Sequence, residues 1–159
     1  MPVAPVLDSF ALLAFLWGEA GDDKVAALLE KAGERDVPLH MTEVNYAEVK
    51  YIVLRKDGAA RWAEVARDLP TLPIEFHPAD RELADLAADF KSRFNLSLAD
   101  SFAAALAMQH KAELVTGDPE FKAMEKEIKI NSLASHKGHN PSVNLRFSEG
   151  IEQAPAQAL

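Results

Sequence analysis

The stretch LADSFAAALAMQHKAELVTGDPEF, residues 98–121, decides the fold. Its first half reads as a helix of Ala, Leu, Phe and Met with the small Ala103, Ala104 and Ala107 on one side, and Ser97 stands just ahead as its cap. Residues 113–116 then read as a short buried strand, and Pro119 suits the first turn of a further helix. The same stretch raises a chemical question. Asp100 sits on an otherwise apolar helix, and Asp118 follows directly after the strand. Acids in apolar company are costly unless something compensates their charge.

Working outward, the alternation continues. Strands are predicted at residues 3–7, 37–41, 74–76 and 128–130. Helices are predicted at 9–17, beyond Gly21, at 43–55 behind a Thr42 cap, at 59–69 and at 80–94. Strands alternating with helices define an α/β protein: a three-layer α/β/α sandwich around a mostly parallel sheet. Such sheets carry their sites beyond the carboxyl ends of the strands.

A chain of 159 residues suffices for one domain with a real core, and 48% hydrophobic with 26% charged residues is ordinary for a soluble protein. The absence of cysteine excludes disulfides and thiolate zinc sites. The first residues lack the basic start of a signal peptide, and the longest apolar run, residues 10–17, is far below the ~20 residues that span a bilayer. A cytoplasmic protein without membrane contact is expected. The net charge of −8 argues against simple electrostatic coating of nucleic acid. Lys50, Arg55, Lys56, Arg61, Lys91 and Arg93 read as solvated helix faces. Beyond about Ala134 the character changes to Gly, Pro, Ser, Asn and Gln without period. The expected division is a folded domain at 1–134 and a polar tail at 135–159, disordered or docked on a partner.

Four carboxylates stand out. Asp8 ends the first strand, where it serves as a helix cap, and Asp118 has the same role open to it. Asp100 lies three residues after Ser97, the spacing of a capping box. Glu48 has no cap to make: in mid-helix it stands between Val44 and Ile52, near Tyr51, within an apolar stripe. Asp8 and Asp118 end parallel strands on one edge of the sheet, and Asp100 opens a helix able to face that edge. Converging carboxylates repel unless cations lie between them. Oxygen ligands without His or Cys favour Mg2+ or Mn2+.

With these residues in view, the chain resembles the PIN-domain nucleases, and within them the VapC-like ribonuclease toxins of toxin–antitoxin modules. The pieces are VLDSF at 6–10, TEVNYAEV at 42–49, LSLADSFAAALA at 96–107 and LVTGDPEF at 114–121. They occur in family order over about residues 3–133. The resemblance implies that Asp8, Glu48, Asp100 and Asp118 bind Mg2+ or Mn2+ for phosphodiester hydrolysis, with Ser9 and Thr116 as supporting hydroxyls. It also implies an RNA substrate, a cognate antitoxin and a homodimer. The alternative is a non-catalytic PIN-like RNA- or protein-binding module. A haloacid-dehalogenase phosphatase would need an acid where Phe10 stands, and a receiver domain would need paired acids where Asp8-Ser9 stands. Acid–base RNA cleavage by histidines is disfavoured, because His40, His77 and His110 lie on different elements and His136 and His139 lie in the tail. The helix at 9–17 is apolar nearly all round, and the helix at 59–69 adds Trp62 and Val65. On these grounds a second copy is expected to cover one or both, with a bound antitoxin segment as the alternative cover.

Overall fold

A computed structural model of the chain describes residues 3–133. The expected tail at 135–159 lies outside them. In chain order the elements are β1 (Val6–Leu7), α1 (Ser9–Trp17), α2 (Asp22–Arg35), β2 (Leu39–Thr42), α3 (Glu43–Asp57) and α4 (Ala59–Asp68). A 3-10 turn at Leu69–Thr71 leads to β3 (Ile74–His77), α5 (Arg81–Arg93), α6 (Leu98–His110) and β4 (Leu114–Thr116). A second 3-10 segment, Pro119–Met124, precedes β5 (Ile130–Ser132).

The five strands form one all-parallel sheet in the order β3-β2-β1-β4-β5. The order reverses at β1: the chain moves outward through β2 to β3, then returns to the other side with β4. Between the carboxyl ends of β1 and β4 lies the crevice such topologies use for ligands. Strand alternation divides the core. Val6 and Leu114 point to a cluster built by α5 and α6, while Leu7 and Val115 point to one built by α1, α2, α3 and α4. Helices therefore cover both faces, as a fully buried parallel sheet requires.

Two elements depart from their predicted form. The segment after Asp118 is 3-10 rather than α-helical. Phe121 and Met124, three residues apart, eclipse on one side of a three-residue turn, and both are fully buried. Ile128 also joins that core, so the last strand starts at Ile130, in register with Leu114. The reason for expecting a second copy over α1 does not hold either. Its buried side chains, Ala11 to Leu16, pack against α2, α3, β1 and β4 of the same chain. Trp62 and Val65 of α4 are likewise buried within the chain. Of the α1 apolar residues, Phe10 alone is exposed, at 46%.

Candidate metal centre

Asp8 is the residue where β1 turns into α1. Its Oδ1 accepts from the Ala11 backbone N–H at 2.8 Å, capping the helix. Its Oδ2 is fully buried and has no hydrogen-bond partner. Burial, with smaller contributions from the neighbouring Asp100 and Asp118 charges, pushes this carboxyl from its ordinary 3.8 up to about 7. The nearby Thr116 hydroxyl and the Ala11 N–H act in the opposite direction.

Asp118, past the end of β4, follows the same plan. Its Oδ1 accepts from the Glu120 N–H at 2.9 Å, and its own N–H donates to Thr116 Oγ1 at 3.0 Å. Asp100 occupies the first turn of α6, where its N–H donates to Ser97 Oγ at 3.1 Å. Partial burial raises its carboxyl to about 6, helped by the Asp118 and Glu48 charges and opposed by Ser97. Capping and metal binding are thus compatible at one residue. At Asp8 and Asp118 one carboxylate oxygen accepts from the backbone, and that role leaves the second oxygen unused.

Glu48, on α3, lies near enough for its charge to be felt at Asp100, while the carboxylates whose oxygens fall within 4.8 Å of one another are Asp100, Asp118 and Glu120. The predicted stripe through Val44, Glu48 and Ile52 is offset from the buried one by a single position. The ridge of α3 that enters the core is Asn45, Val49 and Val53. Glu48 flanks that ridge and is only partly buried, which is why it is tolerated in mid-helix.

Two participants escaped the sequence reading. Glu120, exposed beside Asp118, presents a carboxylate oxygen within 4.8 Å of oxygens from Asp100 and Asp118. Its signal is faint, since an acid in the first turn of a helical segment is ordinary. Asn45 is more telling, because it is fully buried and every polar atom of its side chain is engaged. Its Nδ2 donates to Ser9 Oγ at 3.0 Å and to the Ala99 carbonyl at 3.2 Å, while Oδ1 accepts from the Thr42 hydroxyl. Thr42 in turn caps α3 by accepting from the Asn45 N–H at 3.0 Å. One amide therefore ties the starts of α1, α3 and α6, the helices that carry or adjoin Asp8, Glu48 and Asp100. Nearby, the Phe10 ring packs directly on Gly117. A Cβ at Gly117 would stand 2.1 Å from Phe10 Cε1.

Three histidines that the sequence places on separate elements also meet, away from the acids. Sheet register and the end of α6 bring His40, His77 and His110 into ring contact, with centroids 4.5 to 5.0 Å apart. Burial and the two neighbouring imidazoles lower His40 to about 4, so that ring is neutral at pH 7.

Among solved structures the fold is similar to the DNA-bound VapBC from Salmonella typhimurium. That match has a TM-score of 0.63 and 14% identity, over 82% of this chain and 98% of that one. VapBC2 from Rickettsia felis, solved with a promoter DNA fragment, matches at 0.66 and 12% identity over 83% and 100% of the two chains. VapBC-5 from Mycobacterium tuberculosis matches at 0.56 and 20% identity over 84% and 100%. No curated protein sequence matches the chain significantly. Residues 6–127 match the PIN-domain family model, the span from β1 to the segment after Asp118 that bears all four acids, and the chain belongs to the PIN-domain family.

Proposed function

We propose that this protein is a Mg2+- or Mn2+-dependent endoribonuclease, the toxin of a VapBC-type module, with Asp8, Glu48, Asp100 and Asp118 holding the metal. The observation that carries this reading is the buried, unpartnered Oδ2 of Asp8 beside two further carboxylates. Among the described residues, no lysine or arginine forms an ion pair with any of the four acids. A divalent cation supplies the missing charge, and an all-oxygen donor set suits Mg2+ or Mn2+. When bound, such an ion activates a water and stabilises charge on the oxygens of a scissile phosphodiester.

The chain's own residues do the holding. Asp8 and Asp118 each keep one oxygen on a backbone N–H, so the direction of the other is set before an ion arrives. Ser9 acts through Asn45, and Thr116 through the Asp118 N–H, as supporting hydroxyls. Asp8 and Asp100, whose carboxyls are raised to about 7 and about 6, would hold an ion as carboxylates, so affinity would fall as the pH drops through those values.

RNA as substrate rests on the family likeness. It gains support from α3, the helix that bears Glu48, where Arg55 lies over the exposed Tyr51 ring and the exposed Lys50 and Lys56 add positive charge. Interleaved cations and rings suit a single strand. The similar VapBC structures support an antitoxin partner, and the exposed Phe10 and Leu98, next but one to Asp8 and Asp100 in the chain, are apolar side chains such a partner would cover. The cytoplasm is the compartment this reading requires. The homodimer rests on family likeness alone, now that α1 and α4 are covered by their own chain, and light scattering tests it.

The deciding experiment incubates the protein with structured RNAs in Mg2+, Mn2+ or EDTA, beside Asp8→Asn. Cleavage by the wild type with metal, lost in EDTA and in the variant, is the expected result. RNA or antitoxin binding without cleavage by the wild type would instead make it a non-catalytic PIN-like module.

A further inference from the structure

We propose that His40, His77, His110 and Glu75 form a second metal site, for Zn2+ or another borderline transition ion, separate from the carboxylate centre. The sheet builds most of it. His40 on β2 pairs in register with Glu75 on β3, and His77 follows Glu75 by two residues, so period-two alternation puts all three on one face. His110, the last residue of α6, closes over them with its ring stacked on His40 at 4.5 Å and 19°. Each histidine presents a ring nitrogen within 4.8 Å of those of the other two.

The distances suit an ion. His40 Nδ1 and His77 Nε2 are 2.9 Å apart, and Glu75 Oε2 is 3.7 Å from the first and 3.8 Å from the second. Metal–ligand bonds of about 2.0–2.1 Å in a tetrahedron put neighbouring donors about 3.4 Å apart. These three atoms thus already approximate one triangular face of a zinc tetrahedron. The His110 nitrogen supplies the fourth corner after a turn about its soft terminal torsion. Two nitrogens at 2.9 Å share one N–H, so the accepting imidazole is neutral, and an ion would replace that shared proton between the two rings.

The donor chemistry separates the two sites. Imidazole with one carboxylate selects zinc-like ions, whereas the acidic quartet selects Mg2+ or Mn2+. Asp100 and His110 lie ten residues apart on α6, about 15 Å along its axis. The histidines are half-buried and Glu75 is exposed, so an ion has an entry path from solvent. Once bound, it would pin edge strand β3 to β2 and to the end of α6.

The test uses the full chain with His136 and His139 changed to Ala, which leaves the three clustered histidines as the only ones among five. Zinc is titrated calorimetrically in excess Mg2+, and Co2+ substitution gives a visible spectrum that reports four-coordinate nitrogen and oxygen ligands. One zinc per chain, a raised melting temperature and a tetrahedral Co2+ spectrum are expected. His77→Gln and His110→Gln, checked for folding by circular dichroism, should each weaken zinc at least tenfold. Asp8→Asn with Asp118→Asn should leave it unchanged. Absence of zinc binding in the micromolar range would overturn the proposal. So would zinc affinity that survives both histidine variants and falls with the aspartate pair.

Discussion

Replacing Asp8 by Asn should make the metal-free protein more stable at pH 8, with the gain fading as the pH falls. The argument starts from burial: Asp8 is 1% exposed, and its carboxyl is pushed from 3.8 up to about 7. The folded chain therefore holds this proton more tightly than the unfolded chain does. Linkage then fixes the sign. The penalty is absent below pH 3.8, grows as the pH rises between the two values, and is complete above about 7. At 1.36 kcal/mol per pH unit, the gap corresponds to about 4 kcal/mol of destabilisation at pH 8. Asparagine keeps an oxygen for the Ala11 N–H, so the cap on α1 survives, but its amide buries a polar NH2 where Oδ2 stood. A net gain of about 2–3 kcal/mol at pH 8 is the expectation. Urea unfolding in EDTA at pH 5.5, 7 and 8.5, wild type beside Asp8→Asn, measures it. Comparing the two chains cancels the opposite dependence of His40, whose lowered value costs stability only as the pH falls through the range between 6.5 and about 4. Parallel pH profiles for the two proteins, or a variant less stable than wild type at pH 8.5, would refute the reasoning.

Further outcomes follow from the same geometry. Mg2+ or Mn2+ should raise the melting temperature of the wild type, while Asp100→Asn and Asp118→Asn should show no such rise and no cleavage, yet melt without metal no lower than wild type. Asn45→Ala removes three buried side-chain hydrogen bonds and should cost about 2–4 kcal/mol by urea unfolding, with metal affinity falling alongside because three helix starts loosen together. Glu120→Gln should weaken Mn2+ binding several-fold in calorimetry without touching stability, since the side chain is exposed. Phe10→Ser should leave metal-dependent cleavage intact and weaken antitoxin binding in a pull-down with the purified partner, because that ring is nearly half-exposed beside the centre.

Much of this was legible because local rules and global fold agree. The caps at Thr42 and Ser97 each accept from the backbone N–H three residues on, as their residue types predict, and Asp80, read as the first residue of its helix, caps it in the same way. Parallel strands ending in acids locate the crevice without coordinates. What the sequence hid depends on relations across the sheet. Nothing local marks Asn45 as the junction of three helices, because its partners Ser9 and Ala99 lie 36 and 54 residues away. The meeting of His40 with His77 and His110 depends on strand register and on where α6 ends, and single-chain periodicity carries neither. The offset of the α3 stripe has a simpler origin. Val44, Tyr51 and Ile52 are as apolar as the valines that enter the core, so composition alone could not choose between adjacent ridges.

The alanines of α6 set a dimension as well as a packing. Ala103, Ala104 and Ala107 are fully buried where the helix crosses the central strands, so α6 offers only methyl groups to Val6 and Leu114 in the same core cluster. On the helix side, then, no rotamer can widen or narrow the clearance between Asp100 and the edge bearing Asp8. A bulkier side chain inserted there would act as a shim. Beyond the 1–3 kcal/mol typical of overpacking, roughly, it would lift one jaw of the site away from the other. Engineering this protein for stability should therefore leave that seam alone and fill space elsewhere.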